Sequence, residues 1–530
     1  MSAFTGTGPL VVAGLRRDRV LLPVWALVFA ATAAASAAAT TDLYPDETAR
    51  AGAAEAINTS SALVALYGRV YGSTTGAVSM IKLGGFGSVC VALFATVLVV
   101  RHTRAEEETG RLELLASTSV GRLAPLGAGL AVAATASLLV GAVTAVALAA
   151  TGLPADGSAA FGAAWAGAGL CFAAVAGVAA QLTTAARTAT ATCAAALAAV
   201  YAVRAVGDVA STGVWSRITW LSPIGWAQQF RPFAGNRWWV LLVVLVFSAL
   251  VTAAAFALAA RRDLGTGLVG DRPGPSTAAT TLRSPLALAW RLQRGALVGW
   301  TVGFVLMGAL VGGIASNVSS FLNNPSAQDF ITQLGGRQGL VDAFLAVEIS
   351  FAGIIASAYG ISAALRLRTE EAAGRAAPVL AAPASRTRWA GSHVVLALGG
   401  TTLLLVVVGL GAGAVRAAQT GRTAELGRLL VAAVAQLPAA AVLVAVVVLL
   451  FGISSRAAVA GWAVLVACIL LGELGPLLSL PQAVMDLSPF AHAPRLPGGP
   501  VDLAPLLALT STAAVLLGAG LAAFRLRDVA

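Results

Sequence analysis

The sequence of 530 residues holds a single lysine, Lys82, although Lys and Arg together number 34. A P-loop needs a lysine behind a glycine-rich turn to reach phosphates. Lys82 follows Val78-Ser-Met-Ile81 within an apolar run, so the chain carries no nucleotide-hydrolysing loop of that kind. Its 4 cysteines, Cys90, Cys171, Cys193 and Cys468, form no CxxC pair, which excludes a disulfide framework and a zinc ribbon. The 3 histidines, His102, His393 and His492, are far apart and lack metal-ligand spacing, so no metal site is expected. No Ser/His/Asp or paired-carboxylate constellation stands out, and the chain reads as non-enzymatic, with no cofactor of its own.

Charge is also scarce. Charged residues make up 11% and hydrophobic ones 58%, with a mean hydropathy of +0.86. A soluble protein carries about a quarter charged residues. So little charge cannot keep a surface in water, so most of the chain faces lipid or other apolar helices. The net charge of +11 does not indicate nucleic acid, because the arginines punctuate apolar segments instead of forming a patch. Arginine bias with Ala, Gly and Val richness suggests a GC-rich bacterial genome, and hence a multi-pass protein of the bacterial cytoplasmic membrane. The first apolar run starts near Val20 and reads as a spanning helix, not a cleavable signal peptide.

Apolar runs of spanning length occur twelve times, near 20–40, 78–100, 124–151, 160–180, 188–208, 238–260, 296–316, 345–365, 390–415, 429–451, 457–480 and 503–524. Glycines within them (Gly84, Gly85, Gly87; Gly409, Gly411, Gly413) read as close-packing sites between helices. Arginines in short loops set the orientation. Arg16, Arg17, Arg19, Arg101, Arg104, Arg111, Arg122, Arg187, Arg261, Arg262, Arg366, Arg368, Arg375, Arg386, Arg388, Arg456, Arg525 and Arg527 share one side if both termini are cytoplasmic. Arg217, Arg231, Arg237, Arg416, Arg422 and Arg428 fall on the other, beside the acidic loop of Asp42, Asp46, Glu47 and Glu55.

The chain repeats itself. Arg16-Arg-Asp-Arg19 with Trp25 and Phe29 matches Arg291-Leu-Gln-Arg294 with Trp300 and Phe304. Arg104-Ala-Glu-Glu-Glu-Thr-Gly-Arg111 matches Arg368-Thr-Glu-Glu-Ala-Ala-Gly-Arg375. Leu221-Ser-Pro223 matches Leu487-Ser-Pro489, and Arg262-Asp263 matches Arg527-Asp528. The expected architecture is all-α: two tandem six-helix halves of equal topology, at 1–262 and 286–530. The Gly/Pro/Ser/Thr-rich segment 263–285 reads as a cytoplasmic linker.

The most informative stretch follows the second run, from Arg104 to Arg122. It starts charged and turns apolar, with Leu112, Leu114 and Leu115 lining one face of a short helix after a break at Gly110. Such a helix either docks into a groove on a soluble partner or is a solvated interfacial loop. The second copy, Glu370 to Arg386, keeps the layout.

Glu107-x-x-Gly110-Arg-Leu-Glu-Leu-Leu-Ala, ending in Arg122, resembles the loop after the second helix of ABC-2 type permeases. Leu-Ser-Pro-Ile-Gly-Trp226-Ala-Gln-Gln-Phe-Arg-Pro-Phe233, followed by Trp238-Trp239, resembles the actinobacterial branch of polyketide-antibiotic (tetronasin-type) exporters. That branch fuses two six-helix permeases into one chain. The resemblance covers essentially the whole chain. It implies twelve spans in a type V exporter-like fold and two separate ABC ATPase subunits, which would bind ATP and Mg. Closure of those subunits would move a small hydrophobic substrate outward through a cavity between the halves. Carried over by position, Arg104, Glu106, Glu107, Gly110, Arg111, Leu115 and Arg122 form the first ATPase contact. Arg368, Glu370, Glu371, Gly374, Arg375 and Arg386 form the second. Leu10 to Arg19 resembles the family's interfacial connecting helix. The copies differ: Ala376-Ala-Pro378 stands where the first has Leu-Glu-Leu114, and Leu487-Ser-Pro-Phe-Ala-His492 lacks the tryptophan.

Four charges fall within or at the ends of spans. Lys82 and Glu348 either pair between the halves or sit shallow and reach headgroup water. Asp208 and Glu473 shape an exit gate, attract cationic substrate or are solvated helix ends. The tryptophans from Trp215 to Trp239 form an interfacial belt or short re-entrant helices. Two other readings remain open. A proton-coupled twelve-helix secondary transporter would carry ionisable residues deep in several spans, and a membrane enzyme would need a polar catalytic cluster.

Overall fold

The computed structural model describes residues 2–210, 214–270, 276–277, 279–315, 336–474 and 481–528. Among them every regular element is helical. The chain divides into two compact units, Met1–Gly274 and Pro275–Ala530, and the division falls inside segment 263–285. Residues 271–275 and 278 of that segment lie outside the described residues.

The first unit opens with a short surface helix, α1 (Thr7–Arg17), and a long apolar one, α2 (Leu21–Leu43). Three short helices follow, α3 (Glu47–Thr59), α4 (Ser61–Tyr67) and α5 (Thr75–Ser79). Each starts at a side-chain cap: Asp46 accepts from the Ala49 amide, Ser60 from Leu63 and Thr74 from Ala77. The Thr48 hydroxyl and the Ala49 amide hold the Asp46 carboxyl below its usual value. Next come α6 (Ile81–His102), α7 (Arg104–Glu108) and α8 (Arg111–Ala116). The long helices α9 (Ala124–Ala150), α10 (Ala155–Leu182) and α11 (Ala186–Val209) follow. A 3-10 turn, Trp215–Leu221, leads into α12 (Pro223–Gln229), and α13 (Val240–Ala259) ends the unit. The Leu-Ser-Pro motif is a helix start: Ser222 caps the Gly225 amide at 3.2 Å and Pro223 takes the first turn, where no N–H is needed.

The second unit holds α14 (Pro285–Ala315), α15 (Gly336–Ala364), α16 (Arg366–Ala372), α17 (Ala376–Ala381) and α18 (Arg386–Thr420). After these come α19 (Ala424–Val434), α20 (Leu437–Ile453), α21 (Gly461–Leu474), α22 (Gln482–Met485) and α23 (Leu503–Leu526).

Eleven helices among the described residues are long and apolar enough to cross a membrane, six in the first unit and five in the second. Their outward faces carry large apolar side chains, such as Leu27, Leu242, Leu250, Val298, Leu507 and Val515. That exposure suits a lipid solvent and would aggregate in water. The chain is a multi-pass membrane protein. The eleventh expected run, 457–480, carries a shorter apolar stretch, Ala457–Gly472, among the described residues. Residues 475–480 lie outside the described ones.

Small residues bring the helices together. A Cβ at Gly141 would sit 2.4 Å from the Gly162 carbonyl oxygen, fixing α9 against α10. Gly308 approaches Val408 in the same way, and Gly452 approaches Gly520. Lipid tails are as apolar as the helices, so packing of this kind, rather than water exclusion, supplies the attraction. Gly85, Gly87, Gly409, Gly411 and Gly413 meet neighbours as expected, whereas Gly84 faces open space.

Candidate functional site

The two hairpins expected to dock a partner are α7–α8 and α16–α17. Each breaks at a glycine in left-handed backbone, Gly110 at φ 72° and Gly374 at φ 68°. A side chain there would be strained, which accounts for the shared glycine.

In the first hairpin three consecutive glutamates reach three different elements. Glu106 pairs with Arg17 of α1 and lies 3.4 Å from Arg111. Glu107 accepts from Arg262, just beyond α13, at 2.7 and 2.9 Å, and from the Gly265 amide at 2.6 Å. Glu108 accepts from the Ala186 amide at 2.7 Å, at the start of α11. Arg104 is buried, pairs with Glu107 at 3.0 Å and donates to the carbonyls of Ala180 and Thr266. Arg122 donates to the Arg262 carbonyl. The hairpin is therefore bolted to α1, to the start of α11 and to the segment just after α13.

The second hairpin repeats the core of this plan 264 residues on. Glu371 pairs with Arg527 at 2.7 Å, as Glu107 does with Arg262. Glu370 pairs with Arg366 at 2.7 Å and Arg375 at 2.8 Å. That hydrogen bond raises the Arg375 guanidinium above its ordinary value. Arg386 donates to the Arg525 and Arg527 carbonyls, the counterpart of Arg122. Ala372 stands where the first copy has Glu108, so one tie is missing. Arg368 is half-buried.

Burial divides the sequence-expected contact residues. Glu107, Arg104, Glu370 and Glu371 are buried, whereas Arg111, Glu113, Leu114 and Arg375 are exposed, Leu114 at 74%. The Leu115 side chain lies outside the described residues. Leu112 is buried and Leu114 exposed, so the apolar face splits between the protein's own body and the outside.

The charges expected within or at the ends of spans stand on α6, α15, α11 and α21. Lys82 is exposed on the first turn of α6, and Glu348 is half-buried on α15 in the other unit. Asp208 is buried rather than solvated: it pairs with Arg204 at 3.3 Å and accepts from the Thr219 hydroxyl at 2.9 Å. The Glu473 side chain lies outside the described residues.

Three partners escaped the sequence reading. Arg204 is buried, and its i,i+4 spacing to Asp208 was the available signal. Asp18, the lone acid in Arg16-Arg-Asp-Arg19, is buried and held by Arg101 at 3.1 Å and His102 at 2.6 Å. On the second unit Arg428 pairs with Asp342 at 2.6 Å and Glu425 at 3.4 Å.

Two units of long lipid-facing helices, each with a braced hairpin at one end, define a polytopic membrane protein of duplicated design. A family model described as "Multidrug efflux system permease Rv1217c, C-terminal domain" matches residues 7–259 and 282–525, one stretch in each unit. The chain belongs to that family of multidrug efflux permeases. It is 44% identical over 531 residues to the multidrug efflux system permease protein Rv1217c of Mycobacterium tuberculosis (strain ATCC 25618 / H37Rv), covering 100% of this chain and 96% of that protein.

Proposed function

We propose that this chain is the membrane subunit of an ATP-driven exporter, moving hydrophobic or amphiphilic compounds, antibiotics among them, outward across the bacterial cytoplasmic membrane. Its two ABC-2 type halves, of the tetronasin-exporter kind, would hold twelve spans with both termini cytoplasmic. ATP and Mg belong to two copies of a separate ATPase. The observation that carries the reading is the repeated hairpin, braced in each unit by an arginine just after or at the end of the last long helix (Glu107–Arg262, Glu371–Arg527). A hairpin tied that firmly to a span transmits a push without bending, which is what coupling to a moving partner requires. The exposed Leu114, with Arg111 and Glu113 beside it, is the contact surface, and the buried glutamates are braces.

The alternative is a proton-coupled secondary transporter. It gains some support from buried ionisable residues inside spans, such as Arg204 and Asp208. Efflux of a fluorescent substrate from cells expressing this chain with its ATPase separates the two. We expect inhibition by vanadate, and persistence in uncoupled cells supplied with ATP. Loss with the uncoupler at constant ATP, and indifference to vanadate, would replace this reading by the alternative.

A further inference from the structure

At the end of the first unit remote from α7–α8 lies a small, partly open cleft of about 50 Å³. Its walls are Phe161 and Trp165 of α10, Tyr71 before α5, and Gln228 of α12, with Arg69 and Arg231 among its lining. No aspartate or glutamate lines it. The walls are fixed in place. Gly87 leaves room for the Trp165 ring, which a Cβ would meet at 2.2 Å, and Trp165 donates to the Leu83 carbonyl at 3.1 Å. Gln228 fills the space beside Gly68 and Gly85 and donates to the Tyr67 carbonyl at 2.7 Å.

Arg231 is the unusual member. Its backbone is left-handed at φ 49°, and Phe233 two residues on is at φ 61°. Such residues are strained and persist where the surroundings over-determine them. Here Phe233 is seated against Gly76 and Gly157, and the Arg237 amide closes the turn on the Phe230 carbonyl at 2.7 Å. The result lays the Arg231 guanidinium over the Tyr71 ring, 3.9 Å from its centroid. Its buried Nε has no hydrogen-bond partner among the described residues. Burial pulls the guanidinium below its usual value and pushes the Tyr71 phenol up. The surroundings carry excess positive charge. Arg69, Arg204, Arg231 and Arg237 face two carboxylates, and both are engaged: Asp208 by Arg204 and Thr219, Asp156 by Asn236 and Trp238. At the matching place the second half has Leu496-Pro497-Gly498 for Arg231-Pro232-Phe233, without the guanidinium.

We infer that this cleft binds the acidic head of an anionic amphiphile, carboxylate or phosphate, at Arg231 and Arg69, with its apolar body against Phe161 and Trp165. The inference rests on the exporter reading and gives it a substrate class. A carboxylate or phosphate pairs with the guanidiniums lining the cleft and cancels excess charge, and the aromatic walls accept an alkyl or ring body. A cation would meet two guanidiniums and no carboxylate.

The test uses the purified full chain in phosphatidylcholine nanodiscs, without any ATPase, with quenching of tryptophan fluorescence by dibromostearic acid and by its methyl ester. The acid is expected to half-saturate at roughly tenfold lower concentration than the ester, the factor one charge-assisted hydrogen bond supplies. Arg231→Gln should erase that advantage, Arg231→Lys should keep part of it, and Trp165→Phe should remove the component of quenching that saturates with the acid. Replacing half the lipid by phosphatidylglycerol identifies the source. Lost acid quenching shows that a lipid headgroup fills the cleft, and unchanged quenching assigns it to free amphiphiles. Equal quenching by acid and ester in the wild-type chain would overturn the proposal, whether or not the variants fold. So would an undiminished advantage in a folded Arg231→Gln chain. Because no ATPase is present, either failure leaves the docking reading standing, and a failure of docking leaves acid binding at the cleft unchanged.

Discussion

Glu107→Ala is expected to uncouple the first hairpin and to lower the thermal midpoint of the chain by several degrees. The carboxylate it removes, 4% exposed, holds Arg262 at 2.7 Å, Arg104 at 3.0 Å and the Gly265 amide at 2.6 Å. Taking away one member of a buried ionic cluster leaves the others uncompensated, at a cost of about 3–5 kcal/mol. The hairpin then loses its tie to the end of the last span, and movement imposed on α8 is absorbed locally. Glu371→Ala should cost less. Arg527 is partly exposed, and its guanidinium keeps a place over the Phe451 ring at 4.9 Å. The check is a melting curve of the detergent-solubilised protein with drug-stimulated ATPase activity of the assembled complex. An E107A chain with wild-type midpoint and stimulation would show that the cluster is not a brace.

Arg204→Met should have an effect of the same order at the other end of the unit. Arg204 is fully buried, pairs with Asp208, and donates to the carbonyls of Ala65 and Leu66. Those carbonyls end α4, where a cation also meets the negative end of the helix. Losing the guanidinium strands a buried carboxylate that retains the Thr219 hydroxyl, 2.9 Å away, and costs roughly 3–5 kcal/mol. Arg204→Met combined with Asp208→Asn should recover much of the loss, because replacing both partners of a buried pair is often close to neutral. A single R204M chain that melts like wild type would mean that water reaches the pair.

Sequence periodicity and hydropathy carried the broad plan, since a bilayer tolerates few alternatives to apolar helices of the right length. The repeated hairpins were also legible, because glycine at a left-handed turn and an arginine after the last span leave fixed marks at matching positions. What periodicity could not convey is which charges face inward. Glu106, Glu107 and Glu108 look alike as a solvated acidic run, yet each turns to a different element, and only the fold brings Arg17, Arg262 and the start of α11 around them. Arg204 was hidden for a related reason. One arginine in a run of Ala, Val and Tyr barely lowers the mean hydropathy, and its partners on α4 lie some 138 residues away in sequence. The cleft escaped notice because its walls come from four separated segments and because left-handed backbone at Arg231 has no sequence signal outside glycine.

The most direct test is the number of ATPase subunits retained per chain. The chain would be purified by a tag on itself after co-expression with its ATPase, with Leu114→Asp as the key variant. Leu114 is 74% exposed, so this change perturbs a docking surface without disturbing the buried ion pairs. Two ATPases per wild-type chain, falling to one in L114D with an unchanged melting curve, is the outcome expected of two docking hairpins. A chain that retains no ATPase in mild detergent, or a stoichiometry indifferent to L114D, would contradict it.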